Sequence, residues 1–245
     1  MPAYGETLYK RATGKSEDME SAKSLSEILA SFYRSGMKIL DVGCGAGHYL
    51  RVFKSKLDKN IDYTGLDATK YYIRLARKAF NKSQFLVGDI FDLPFGSNVF
   101  DIVVCNNVIL HLPPPPTKAI AELIRVAKKY VVIRTVFGAG ERNYIIKEVR
   151  SPEEKIVKVK KWPKEIIDKD GEPAFYNYFN MYTKQYIKDV VDKIGKNIKV
   201  KIINDDKGKA FSNEKLGATG TKIINGKQVA GNLILDWKFI VLEKR

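Results

Sequence analysis

"ILDVGCGAGHYL", residues 39–50, joins an apolar run to a glycine-rich turn and then to what reads as the start of a helix. Gly43, Gly45 and Gly47 let the backbone bend sharply and come close to a ligand without a Cβ in the way. Outward from this stretch, apolar runs and helical spacings alternate. "MKILDV" (37–42), "IDYTGL" (61–66), "QFLVG" (84–88), "VFDIVVC" (99–105) and "YVVIRTVF" (130–137) read as strands. Residues Leu25, Ile28, Leu29 and Phe32 are spaced as one helix face, which Gly36 would end. A second helix follows the glycine turn to about Leu57. Thr69 can cap a third, with Tyr72, Leu75, Ala76 and Ala79 inward, and "PPPP" (113–116) delays a fourth to Thr117, burying Ile120, Leu123, Ile124 and Ala127.

After Phe137 the rhythm breaks. Residues 138–181 are long, charged and aromatic, and read as an insertion. Thr183 then caps a helix with Ile187, Val190, Val191 and Ile194 inward, and "NIKVKII" (197–203) and "NLILDWKFIVL" (232–242) read as two closing strands. The Asn-Gly pair of "IINGKQV" signals a tight hairpin between them. The expected fold class is α/β: a doubly wound, mostly parallel seven-stranded sheet with helices on both faces and an antiparallel C-terminal hairpin-type edge. One domain fills 1–245. Residues 1–36 form an N-terminal arm and helix, 37–137 a ligand-binding core, 138–181 the insertion, and 182–245 the last helix and closing strands.

Composition bounds the function. The chain of 245 residues is long enough for a sizeable core. No apolar run approaches the length of a membrane span, no secretory signal opens the chain, and the expected compartment is cytoplasmic. Cys44 and Cys105 cannot build a disulfide framework or a zinc site alone, and no metal is expected. The net charge of +15 is spread along the chain, with 20 basic against 13 acidic side chains in 1–136 and 23 against 15 in 137–245. Its densest run, "KIVKVKKWPK" at 155–164, is the best candidate for a nucleic-acid surface, and a solvated lysine-rich strand or loop is its plainer interpretation.

In a doubly wound sheet the ligand sits at the carboxyl ends of the strands. Asp67 ends the second strand twenty residues after Gly47, placed to accept hydrogen bonds from both hydroxyls of a ribose. A nucleoside cofactor follows. A dinucleotide fingerprint spaces its glycines G-x-G-x-x-G, whereas here the pattern is G-x-G-x-G and His48 takes the sixth position. This spacing argues against a nicotinamide dehydrogenase. Asp89, in "LVGDIFDLPF", could receive the amino group of an adenine.

With these stretches in order, the sequence resembles the class I S-adenosylmethionine-dependent methyltransferases. "ILDVGCGAGHYL" looks like their first motif, "YTGLDAT" their second, "FLVGDIFDLPF" their third and "FDIVVCNNVILHL" their fourth. The resemblance implies S-adenosyl-L-methionine as cofactor, S-adenosyl-L-homocysteine as product, and a site assigned position by position. Gly43, Gly45 and Gly47 would pass along the methionine part and ribose, and Asp41 would hold the loop or the amino group. Asp67 would take the ribose, Asp89 and the backbone of Ile90 the adenine, and Asn106 the methionine end. By analogy, Tyr9 and Arg11 of the N-terminal arm could fold over the cofactor's carboxylate. Carboxylates suit a ligand carrying a sulfonium and an ammonium group better than a phosphate cradle would.

Methyl transfer is an in-line displacement, for which positioning and exclusion of water supply much of the rate. A base is needed only where the acceptor holds a proton until attack. His111, in "NNVILHLPPPP", is the candidate, and its alternative role is to orient the loop through a backbone hydrogen bond. "CNNVILHLP" lacks the carboxylates that an aminopropyl transferase would want for a polyamine. The aromatic run 175–182, with Tyr176, Tyr178, Asn180 and Tyr182, is the expected lid over the acceptor, or else packing at the sheet edge. The expected acceptor is a small molecule or a glycan- or lipid-linked group. RNA contacted by the lysines of 155–164 is the alternative, and a non-catalytic cofactor-binding module is another.

Overall fold

A computed structural model describes residues 2–138, 140–149, 176–205, 222–224, 227–230 and 233–245. Its centre is a seven-stranded sheet in the order β3-β2-β1-β4-β5-β12-β8. The first five are β1 (Lys38–Val42), β2 (Asp62–Asp67), β3 (Gln84–Val87), β4 (Phe100–Asn106) and β5 (Ala127–Phe137), all parallel. β12 (Asp236–Lys244) lies antiparallel to both β5 and β8 (Ile198–Asn204), so β8 returns to the direction of the parallel strands at the sheet's edge.

Both faces are covered, as the near-continuous apolar character of β4 and β5 requires. On one face α5 (Thr117–Val126) and α6 (Lys184–Ile194) bury Ile120, Leu123, Ile187 and Val191 against Val103, Val131 and Ile240. On the other, α2 (Glu20–Ala30), α3 (His48–Lys56) and α4 (Lys70–Ala79) bury Leu25, Leu29, Leu50, Phe53 and Ile73 against Ile39, Val104 and Phe239. Thr183 caps α6, its Oγ1 accepting from the Tyr186 amide at 3.1 Å.

Several expectations are corrected. The N-terminal arm is itself helical, α1 (Pro2–Ala12), packed against α4 through Leu8, Leu75, Tyr71 and Tyr72. α2 stops at Ala30, well short of Gly36, and Phe32 lies beyond it, stacked on Tyr130 at 4.1 Å between ring centres. The inward face of α4 is Ile73, Leu75 and Ala76, while Tyr72 turns toward α1. α5 ends before Ala127, which opens β5.

The insertion contains an antiparallel pair, β6 (Tyr144–Val149) and β7 (Tyr176–Met181). β9 (Lys222–Ile224), β10 (Lys227–Ala230) and β11 (Leu233–Ile234) form a separate three-stranded sheet. β9 and β10 pair on either side of the Asn-Gly dipeptide, Ile224 opposite Lys227. The closing run 232–242 is therefore two strands and not one. It divides at Leu235, whose amide donates to the Gln228 carbonyl at 2.8 Å, before the chain enters the main sheet at Asp236. The lysine run 155–164 and Phe175 lie outside the described residues.

Candidate active site

The carboxyl ends of β1, β2 and β4 meet at the glycine turn. The amides of Gly43 and Cys44 both donate to the Leu66 carbonyl, at 2.7 and 3.0 Å, so the turn is fastened to the end of β2. Gly43, Gly45 and Gly47 all have positive φ, at 79°, 56° and 78°. A Cβ at Gly43 would stand 2.2 Å from Cγ2 of Val108, and one at Gly45 2.9 Å from Cδ1 of Leu8. The turn is thus closed over by the loop after β4 and by α1, two neighbours that the glycine pattern does not reveal.

Asp67 ends β2 with both carboxylate oxygens engaged by backbone. Oδ2 accepts from the Gly45 amide at 2.9 Å and Oδ1 from the Thr69 amide at 2.8 Å. Each oxygen keeps a further lone pair for a ligand hydroxyl. Asp89, after β3, is exposed and accepts from the Phe91 amide at 2.9 Å, while Ile90 is buried beside it. Asp41 is buried beneath the turn, and its Oδ2 accepts from the Tyr63 hydroxyl at 2.7 Å. Burial raises its pKa to about 7, against the lowering effect of the Tyr63 hydrogen bond, and the charge of Asp67 adds to the rise. Tyr63 was not identifiable from the motif. Its alternation within "IDYTGL" marks it only as inward-facing.

Beyond the last β1–β4 register pair, Asp41 with Val104, the chain carries Asn106 alongside the turn. Asn106 is buried, and neither its Oδ1 nor its Nδ2 has a hydrogen-bond partner. Orphaned buried amides are costly, and a ligand group or an ordered water would complete the hydrogen bonds of this one. A second orphan lies across the turn. Nδ1 of the half-buried His48, the first residue of α3, is buried without a partner. Burial lowers the His48 pKa to about 3, and the positive charge of Arg11 on α1 contributes. Arg11 thereby stands close to the helix N-terminus.

On the far side of β4, His111 closes a 3-10 turn (Ile109–His111) and faces β7. Its Nδ1 lies 2.9 Å from the Tyr178 carbonyl. A carbonyl only accepts, so Nδ1 carries the hydrogen and the exposed ring keeps Nε2 as an acceptor. Asn180 Nδ2 donates to the Leu112 carbonyl at 2.7 Å. These contacts dock β7 on the loop after β4, while Phe179, Met181 and Ile146 pack with Leu110, Val136 and Leu235. Tyr176 opens β7, Asn180 is fully buried, and Tyr182 lies in the core stacked on Tyr186. Among the described residues no group of His, Cys, Asp and Glu is arranged to hold a metal, and no helix is long and apolar enough to cross a membrane.

A methyltransferase-domain family matches residues 33–192. The chain belongs to that family. Among curated relatives, the malonyl-[acyl-carrier protein] O-methyltransferase of Pectobacterium atrosepticum is 32% identical over 99 residues, covering 40% of this chain and 38% of that protein. The chain thus spans well under half the length of that relative. A solved S-adenosylmethionine-dependent methyltransferase of Methanosarcina mazei superposes with a TM-score of 0.58 at 19% identity, covering 89% of this chain and 96% of the other. The magnesium protoporphyrin IX methyltransferase of Synechocystis, solved with bound S-adenosylhomocysteine, gives 0.56 at 14% identity, covering 99% and 95%. The fold is therefore that of the class I S-adenosylmethionine-dependent methyltransferases. S-adenosylmethionine is the family's cofactor, and the strand-end carboxylates and the orphaned Asn106 amide fit it.

Proposed function

We propose that this chain transfers the methyl group of S-adenosylmethionine to a small-molecule, glycan- or lipid-linked acceptor. The observation that carries this is Asn106, whose buried amide has no partner and lies alongside a glycine turn fastened to the Asp67 carboxylate. In this assignment Asp67 receives the ribose hydroxyls, and Asp89 with the Ile90 backbone reads the adenine. The turn Gly43–Gly47 runs beside the ribose and methionine part, and Asn106 completes its hydrogen bonds on the methionine amino-acid group. Asp41, buried beneath the turn and bonded to the Tyr63 hydroxyl, fixes the loop from below, and Arg11 faces the carboxylate. When bound, the cofactor supplies a methyl group activated by the sulfonium.

The residues of this chain then have three tasks. The floor at β4 and the loop carrying Val108 hold the acceptor in line. The β6–β7 pair, docked through His111 and Asn180, walls the reacting end from water, with Tyr178 the residue of β7 assigned to the acceptor side. Asn180 is engaged by the Leu112 carbonyl, and Tyr182, beyond the strand, is buried against Tyr186. His111, fixed by the Tyr178 carbonyl, presents Nε2 as the proton acceptor for an acceptor hydroxyl or amine. The relatives' names cover acceptors as different as a carrier-linked malonyl group and a porphyrin. They support an enclosed small or carrier-linked group without choosing one.

The test is incubation with methyl-labelled S-adenosylmethionine and a cell extract, alongside calorimetry with S-adenosylhomocysteine. Label in small-molecule, lipid or glycan material is expected. Label in ribonuclease-sensitive material would replace the acceptor class by RNA. Tight S-adenosylhomocysteine binding with no label from any extract would favour a non-catalytic module.

A further inference from the structure

Within the apolar strand "YVVIRTVF", Arg134 is the one charged residue, and a charge so placed must be paired. It is 6% exposed. Its Nε and Nη2 both lie 2.7 Å from Asp205 Oδ2, at the end of β8, and the guanidinium stacks 4.0 Å over the Trp237 ring. Asp205 Oδ1 in turn accepts from Ser24 Oγ on α2 at 2.9 Å. Charge neutralisation is therefore complete without the remaining nitrogen. Nη1 instead donates to Asn107 Oδ1 at 2.6 Å, and the Asn107 amide donates to the Arg134 carbonyl at 3.0 Å. Residue 134 thus grips both the side chain and the backbone of Asn107.

Asn107 holds a left-handed conformation, φ 59°, which a residue with a Cβ adopts at a cost. It is also the joint between two residues of the site. Asn106 precedes it with the orphaned amide and is the register partner of Arg134. Val108 follows it and lies against Gly43. Were Asn107 to relax to an extended conformation, both neighbours would be re-aimed. We infer that Arg134, anchored by Asp205, is a positioning residue that locks the Asn107 joint and so sets Asn106 and Val108 around the methionine end of the cofactor. This rests on the cofactor reading above and adds a residue outside every motif.

The probes are S-adenosylhomocysteine and 5′-methylthioadenosine, which shares the adenosine and sulfur but lacks the amino-acid chain. Binding of each is measured by calorimetry. Arg134→Lys keeps a positive charge for Asp205, but one ammonium cannot reproduce the fork that reaches Asn107 as well. Its affinity for S-adenosylhomocysteine should fall about tenfold while that for methylthioadenosine stays unchanged. Adding Asn107→Gly, which accepts positive φ without a tether, should recover most of the loss. Equal losses for both ligands, no loss, or no recovery in the double variant would overturn the inference. If Arg134→Lys fails to fold by thermal melting, Asn107→Ala and Asn107→Gly carry the test with Arg134 in place. Alanine should show the selective loss and glycine should not, and equal affinities would overturn it. Wild-type protein that binds neither ligand would instead remove the cofactor reading, and this inference with it.

Discussion

At the scale of single residues, the glycine turn is held by steric exclusion, by the Leu66 carbonyl and by one carboxylate. Gly43→Ala meets two penalties, a positive φ and a Cβ 2.2 Å from Val108 Cγ2. Together they should cost about 2–4 kcal/mol, lowering the melting temperature by roughly 5–15 °C. Val108→Ala relieves the clash and leaves the dihedral strain. The loss caused by Gly43→Ala should be smaller in a Val108→Ala background than in the wild type, and equal losses would mean that the clash contributes nothing. Asp67 serves two amides, so its removal is not purely a loss of ligand contact. Asp67→Asn keeps one accepting oxygen and turns the other into a donor that faces either the Gly45 or the Thr69 amide. S-adenosylhomocysteine affinity should fall at least about tenfold, with a stability loss of about 1–3 kcal/mol. Calorimetry showing unchanged affinity would mean that the ribose lies elsewhere.

At the scale of elements, the contact between the 3-10 turn and β7 separates two roles for His111. His111→Asn can still donate to the Tyr178 carbonyl but has no Nε2, so the pair β6–β7 should stay docked and the melting temperature should hold. Methyl transfer in the extract assay should fall by about 10²-fold or more. Undiminished transfer would reduce His111 to a tether. The same elements show what the sequence could and could not reveal. The parallel strands and the glycine turn bonded to the Asp67 carboxylate were legible because each is announced locally, by an apolar run or by a glycine spacing with a carboxylate at the next strand end. α1 was not, since Gly5 is a poor helix residue within so short a pattern. Gly5 is there for packing, as a Cβ would come 2.5 Å from the Tyr71 ring. The division of "NLILDWKFIVL" was equally hidden, because Leu235 leaves the strand for a hydrogen bond to Gln228 that no local pattern announces. Arg134 advertised that it needed a partner, but the partner is 71 residues away.

At the scale of the whole molecule, two buried groups flanking the glycine turn give stability opposite dependences on pH. Asp41 has its pKa raised from 3.8 to about 7, first by burial. In the unfolded chain it ionises near pH 4, while in the fold it keeps its proton, so the stability it contributes is fully present below pH 4 and is lost as pH rises toward 7. His48 has its pKa lowered from 6.5 to about 3, again first by burial and then by the charge of Arg11. The unfolded chain takes up a proton there below pH 6.5 and the fold does not, so this contribution is present above pH 6.5 and is lost as pH falls toward 3. Each effect has a slope of about 1.4 kcal/mol per pH unit, and between pH 4 and 6.5 the two nearly cancel. Removing one should expose the other. Denaturant melts across this window should show Asp41→Asn gaining on the wild type with rising pH, by about 1.4 kcal/mol per unit, and His48→Asn losing by a similar slope. An Asp41→Asn profile parallel to that of the wild type would show that Asp41 is already ionised in the fold. The turn would then rest on a buried charge, and Tyr63 would be its principal stabilising donor.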